Sequence, residues 1–274
     1  MAYIAWHFKV TPPQPGSEIL MACIGEFGFD TFQSTDVGFT AWIAAEASDA
    51  VDLSSFIFDD FTYTIKKEVV ETVNWNEEWE KSFQPVEIGE DILIRAHFHA
   101  TKPNIKHDII ITPKMSFGTG HHQTTRLVCA EILQLELKGK RVLDMGCGTG
   151  VLAILAAQCG AKEIVGIDID EWSVENAREN CQRNGADHIE LFMGDAMLLA
   201  KQAPFDFIFA NINKNILKRD MSVYASVLKV GGTILFSGFF TTDTDELIAV
   251  GAQNNLQFQH QRNEAEWAML RMKK

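Results

Sequence analysis

Four acidic or amide side chains, Asp144, Asp168, Asp195 and Asn211, stand where they could together hold a nucleoside. Asp144 opens the run Asp144-Met-Gly146-Cys-Gly148-Thr-Gly150, a glycine-rich turn with a carboxylate ahead of its first glycine. A dinucleotide fingerprint spaces its glycines G-x-G-x-x-G so that helix amides can hold a pyrophosphate, which Asp144 would repel. A ligand that lacks phosphate and carries ammonium and sulfonium charges suits the carboxylate, directly or through water. The bare backbone at Gly146 and Gly148 lets its amino-acid tail approach closely. The pattern therefore predicts an S-adenosyl-L-methionine site. Asp168 lies 22 residues beyond Gly146, the separation expected of a carboxylate that accepts from two ribose hydroxyls. Asp195 can accept from an adenine amino group, and Asn211 adds an amide. Any one of these alone reads as a helix cap or a solvated turn. Four in register are unlike coincidence.

The elements that must position them follow from the apolar pattern. The run from Arg141 into the glycine turn, Glu163 to Asp168, Ile189 to Met193 and Phe205 to Asn211 read as buried strands, each with one of the four side chains at or beside its carboxyl end. A helix from about Val151 to Cys159, closed by Gly160, follows the first strand, and a second helix carries Val174, Ala177 and Cys181 on one face. Strands alternating with helices make a doubly wound α/β sheet, which takes its ligands at the carboxyl ends of its strands. Ser237-Gly238-Phe239 ends a fifth strand that borders a substrate pocket.

Residues 1–73 are organised differently. Tyr3 to Val10 alternates like a strand, Ser17 can cap a helix through about Glu26, and Phe29 to Thr35 with Phe39 to Ala45 reads as a hairpin around Asp36-Val-Gly38. An acidic helical stretch near Asp49 to Phe58 and a strand from Tyr63 to Val73 complete a small α+β unit of ferredoxin-like order. This segment holds eleven acids against three lysines, a net of −8 within a chain total of −13. Such a field repels a phosphate backbone and attracts a basic partner. Direct nucleic-acid binding is therefore not expected, although RNA-recognition modules share the topology. Trp6, Phe8 and Trp42 are expected in the core.

Composition bounds the rest. A hydrophobic content of 46% supplies ample core, and no apolar run approaches the ~18 residues of a membrane span. No signal peptide is indicated, and five cysteines without a C-x-x-C pair fit a reducing cytoplasm. His97-x-His99 and His121-His122 lack further ligands at metal spacing, so no metal is expected.

Between the two parts, Trp75, Trp79 and Phe83 recur every four residues, which predicts a linker helix over 74–84. Beyond it, Ile92 to Phe98 and Asp108 to Ile111 read as strands. The loop Phe117-Gly-Thr-Gly-His-His-Gln-Thr-Thr125 then leads into a helix from Arg126 to Leu135, in the position of a lid.

That loop, together with Val142-Leu-Asp-Met-Gly-Cys-Gly-Thr-Gly150 and Ala210-Asn-Ile212, closely resembles the PrmA family of methyltransferases. The resemblance spans nearly the whole chain. It implies a substrate-recognition domain over 1–73, the linker helix, and a seven-stranded Rossmann-like methyltransferase domain over 85–274. It implies cofactor contacts at Thr125, Gly146, Asp168 and Asn211, and methylation of amines, on lysine side chains or the N-terminus, of protein eleven of the large ribosomal subunit. That protein is a basic one at the stalk base. Asn213-Lys-Asn215 departs from a more aliphatic segment common in relatives.

Methyl transfer from a sulfonium needs alignment and exclusion of water more than a strong base. Asn211 is the candidate acceptor that orients the amine, and Phe117 a candidate wall. Two other readings are a methyltransferase for nucleic acid or a small molecule, and a non-catalytic cofactor-binding module. Nucleic-acid enzymes often carry Asn/Asp-Pro-Pro-aromatic after the fourth strand, which Asn211-Ile-Asn-Lys214 is not.

Overall fold

The computed structural model describes residues 3–53, 56–70, 83–112, 114 and 116–274. The chain divides into two compact units, Met1–Lys81 and Ser82–Lys274. The expected linker helix over 74–84 falls, except for Phe83 and Gln84, outside the described residues.

In the first unit, strand β1 (Tyr3–Thr11), helix α1 (Pro13–Ile24), the hairpin β2 (Phe29–Thr35) and β3 (Gly38–Ala44), helix α2 (Ala45–Ser48) and strand β4 (Thr62–Val70) follow in that order. They form one antiparallel sheet ordered β2-β3-β1-β4. Gly28, at φ 83°, turns the chain out of the helical region into β2. Ser17 lies buried inside α1 and does not cap it. Trp6 and Phe8 are 2% exposed and form the core with Phe39, Leu20 and Ile43. Trp6 Nε1 donates to Ser48 Oγ at 3.0 Å, which satisfies the indole inside that core. The acidic helix expected near Asp49 to Phe58 is corrected: α2 ends at Ser48, and the following chain is irregular among the described residues. Its aromatics explain why. Phe56, Phe58 and Phe61 stack in series, Phe58 and Phe61 with centroids 4.3 Å apart. The Tyr63 hydroxyl can donate to Leu53 O or Phe56 O, each 3.1 Å away. Aromatic burial and these carbonyl contacts take the place of helical ones.

The second unit opens with a three-stranded sheet of β5 (Val86–Ile88), β6 (Ile92–Arg95) and β7 (His107–Ile110). The strand expected to run to Phe98 stops at Arg95, whose guanidinium grips Asp108 through two bonds of 2.8 and 2.9 Å. His97 and Phe98 lie in a turn, so His97 and His99 do not share a strand face. Helix α3 (Gln123–Ile132) follows.

The main sheet is then built by β8 (Arg141–Met145), α4 (Val151–Gln158), β9 (Glu163–Asp168), α5 (Glu171–Arg183), β10 (Glu190–Met193), β11 (Phe205–Asn211), α6 (Lys214–Val227), β12 (Leu228–Phe240), α7 (Thr244–Gln253), β13 (Gln257–Glu264) and β14 (Trp267–Lys273). Its seven strands run in the order β10-β9-β8-β11-β12-β14-β13. Pairs from β10 through β12 are parallel, and β14 is antiparallel to both neighbours. This is the doubly wound α/β architecture expected, with the strand order reversing between β8 and β11. Helix α4 is buried along Val151 to Ala156 because it is apolar on every side, as befits a helix inside the core. Across the sheet's other half, Glu131 of α3, 2% exposed at its side chain, takes Arg262 at 2.6 Å and Arg271 at 3.2 Å. That pairing fixes the last hairpin against α3. Among the described residues no helix is long and apolar enough to cross a membrane.

Candidate active site

A cavity of about 500 Å³ opens at the carboxyl edge of the main sheet, where the strand order reverses. Its floor is the turn after β8. Gly146 N donates to Ile167 O at 2.8 Å, and Gly146, Gly148 and Gly150 all have positive φ, between 53° and 78°. A Cβ on Gly146 would overlap the Ile212 side chain, and one on Gly148 would overlap the Phe117 carbonyl. The glycines are required by this crowding as well as by the turn.

The carboxylates gather on one side. Asp168 closes β9 and lines the cavity, its Oδ2 accepting from Gly148 N at 2.8 Å and its Oδ1 from Asp170 N at 3.1 Å. Asp195, which follows β10, also lines it, and its Oδ1 accepts from Met197 N at 2.9 Å. Both carboxylates keep lone pairs for a ligand. Asn211 ends β11, is 9% exposed and lines the cavity, and its buried Oδ1 has no partner. Asn213 lines the cavity as well and caps α6 by accepting from Ile216 N at 3.1 Å.

The loop before α3 closes the other side. Thr149 N donates to Phe117 O at 2.9 Å and Thr149 Oγ1 to Gly118 O at 2.7 Å, so the loop is latched to the glycine turn. Phe117 is 52% exposed at the cavity wall. His122 caps α3 through Nδ1, which accepts from Thr124 N. Burial, with Arg126 close by, lowers its pKa from the usual imidazole range, so the ring is neutral at pH 7. The same Nδ1 lies 2.8 Å from Thr124 Oγ1, so the ring is anchored at the start of α3 and lines the cavity as a wall.

Two of the expected contacts lie behind this wall. Thr125 and Asp144 are fully buried. Asp144 Oδ2 accepts from Ala153 N at 3.0 Å in the first turn of α4, while Oδ1 has no partner. Ser237 is also withdrawn, its hydroxyl donating to Ala268 O at 2.8 Å, and Gly238 takes its place at the cavity. Trp267 is a wall residue that sequence reasoning missed. It comes from the start of β14, far from any motif, and no local pattern marked it.

Burial pushes the Asp144 carboxyl up to about 7, the Asp168 charge adding to the rise and the Ala153 N–H opposing it. A group raised in the folded state stabilises the fold fully below its unfolded pKa, and that contribution is lost as pH rises through the folded value. Asp144→Asn is therefore expected to flatten the fall in melting temperature between about pH 4 and 7, read by calorimetry. An unaltered slope would exclude Asp144 as its source.

The set of groups suits a nucleoside with a cationic tail: two carboxylates with spare acceptor capacity, a backbone cradle without Cβ atoms, and an orphaned amide oxygen. S-adenosylmethionine has that chemistry.

Known proteins share this chain's sequence and fold over most of its length. A family model described as "Ribosomal protein L11 methyltransferase (PrmA)" matches residues 32–274. A ribosomal protein L11 methyltransferase of Porphyromonas gingivalis is 42% identical over 99% of this chain and 97% of its own. One of Bacteroides fragilis is 40% identical over 99% of each. The crystal structure of a ribosomal protein L11 methylase from Lactobacillus delbrueckii subsp. bulgaricus superposes with a TM-score of 0.65 at 29% identity, covering 70% of this chain and 99% of that one.

Proposed function

The chain belongs to the ribosomal protein L11 methyltransferase (PrmA) family, and from that premise we propose that it transfers methyl groups from S-adenosylmethionine to amines of ribosomal protein L11. The amines are lysine side chains, the N-terminus, or both. The observation that carries the reading is Asn211, a cavity-lining residue whose buried Oδ1 has no partner, on the same strand edge as the carboxylates of Asp168 and Asp195.

When bound, S-adenosylmethionine supplies an activated methyl on a positively charged sulfur. Asp168 and Asp195 would hold its nucleoside end, and the Gly146–Gly148 backbone its amino-acid end. Asn211 Oδ1 accepts an N–H of the incoming amine and so fixes the direction of its lone pair. Phe117 and the latched loop keep water from the reacting atoms. Neutralising a lysine at pH 7 costs about 4.6 kcal/mol from its reference pKa of ~10.4, against about 1 kcal/mol for an N-terminal amine near ~7.8. Entry into a partly apolar cavity lowers that cost by disfavouring the charged form. A strong base is not needed.

Asp168→Ala is expected to weaken cofactor binding by about 1 to 3 kcal/mol, the loss of hydrogen bonds to a charged acceptor. Unchanged affinity in titration calorimetry would remove Asp168 from the site.

The reading assigns the acidic first unit to recognition of a basic protein rather than of nucleic acid. Asp36, Glu46, Asp49, Asp59 and Asp60 are all exposed there. Reversing their charge is expected to raise the KM for the protein substrate, more at low salt than at high, and to leave cofactor affinity unaltered. Equal losses in both would end the division of roles. The reading also carries the cytoplasmic location expected from the cysteine set.

The test of the function is methyl-labelled cofactor supplied to ribosomal proteins and RNA from cells that lack the enzyme. Label in L11, placed on amines by mass spectrometry, is the expected result. Label in RNA, or in no macromolecule, would overturn it.

A further inference from the structure

The cavity wall is divided by chemistry. Asp168, Asp170 and Asp195 follow β9 and β10 on one side of the glycine turn, and the fourth lining carboxylate, Asp220, is held by Arg219 through bonds of 2.7 and 2.8 Å. On the other side the wall is aromatic. Phe117 and His122 have centroids 5.2 Å apart, His122 and Trp267 4.5 Å, and Trp267 and Phe240 4.4 Å. Phe117, His122 and Trp267 line the same cavity as Asn211. Three strands, β8, β11 and β12, separate β9 from β14, which at ~4.8 Å per strand sets Trp267 about 19 Å along the sheet from Asp168.

We infer that Trp267, with Phe117, is the specificity-determining surface that holds a methylated nitrogen between successive transfers, so that one amine receives more than one methyl. The inference rests on the amine-methylation reading above. In each transfer an N–C bond forms, the S–C bond breaks and its electron pair stays on sulfur, while a surplus proton on nitrogen passes to solvent. Every methyl added removes an N–H, so Asn211 Oδ1 loses a partner as the reaction advances. An aromatic face does not depend on N–H groups. It attracts the ammonium through the ring quadrupole and accommodates methyl groups as readily as hydrogens. Carboxylates at this end would also attract the cation, but they would hold its proton on and slow the next transfer. The attraction of an aromatic face for the cation is weaker than a carboxylate's, so it holds the proton less firmly.

The experiment follows methyl incorporation into L11 by intact mass spectrometry, scoring multiply methylated against monomethylated amines at equal total incorporation. Trp267→Leu is expected to lower that ratio about tenfold, the size a partly desolvated cation–π contact supports, and Trp267→Phe to restore most of it. Binding of S-adenosylhomocysteine, measured by calorimetry, reports whether each variant keeps its fold and cofactor cavity. A ratio that stays constant while total incorporation falls would overturn the inference, as would a parent enzyme that adds one methyl per amine. An absence of label on L11 with the parent enzyme refutes the function instead, so the two failures are distinct.

Discussion

Asn211→Ala is expected to lower kcat for methyl transfer by about 10²-fold, the usual cost of losing the alignment of a reacting group. The side chain is almost wholly buried at the end of β11, and its Oδ1 spends no hydrogen bond on the protein. A buried acceptor without a partner costs stability, so the fold gains if anything when it is removed. Loss of activity without loss of melting temperature is the signature of a group kept for its ligand. Asn211→Asp separates shape from charge. The carboxylate is nearly isosteric, yet it would hold the proton on the amine, and its rate is expected to recover only as pH is raised. Single-turnover rates with labelled cofactor decide the matter. A kcat within about threefold of the parent for Asn211→Ala would take the residue out of the chemistry.

Gly148→Ala is expected to cost cofactor affinity by about 10²-fold, since roughly 3 kcal/mol must be found. The position has φ 53°, which costs a residue with a Cβ about 1 to 2 kcal/mol. The new Cβ also overlaps the Phe117 carbonyl, which accepts from Thr149 N at 2.9 Å and cannot retreat without losing that bond. The loop that forms one wall would then be displaced from the turn that forms the floor. Gly139 provides the control. It has φ 74° but nothing within 4 Å of the place a Cβ would occupy, so Gly139→Ala bears the backbone cost alone and should alter stability without altering cofactor affinity. Titration calorimetry on both variants tests this, and equal affinity in the two would refute the crowding argument.

Much of the architecture was legible because parallel strands are buried on both faces and read as continuous apolar runs. Glu163–Asp168 and Phe205–Asn211 have in the structure the bounds that the sequence suggests. Short or irregular pieces were harder. Val86–Ile88 is too brief to show a period, and the segment after Ser48 is shaped by aromatic stacking that no helical pattern encodes. At the site, residues that end strands could be placed, since the sheet's carboxyl edge is known once the strands are. Asp168, Asp195 and Asn211 reach the cavity for that reason. Whether a side chain points into the cavity or behind it depends on tertiary packing. Asp144 turns its carboxylate to the α4 amide, and Thr125 is enclosed by the core. Trp267 escaped because its place on the cavity wall arises from strand order, which sets β14 next to β12, and from no motif in its own neighbourhood.

The final hairpin also imposes a schedule on folding. β13 comes before β14 in the chain, yet it pairs with β14 alone, and β14 is the strand that inserts beside β12. β13 therefore has no edge to join until its successor is seated. Glu131 waits for Arg262 and Arg271 over the same interval, and Arg126 of the α3 segment for Glu264, whose carboxylate its Nε meets at 2.9 Å. Long-range pairings of this kind are made late, after their loop-closure entropy can be offset. A chain with β8 to β12 already formed would have a nucleoside pocket whose aromatic wall lacks Trp267. The ability to bind cofactor should thus appear during refolding before the ability to add a second methyl to one amine.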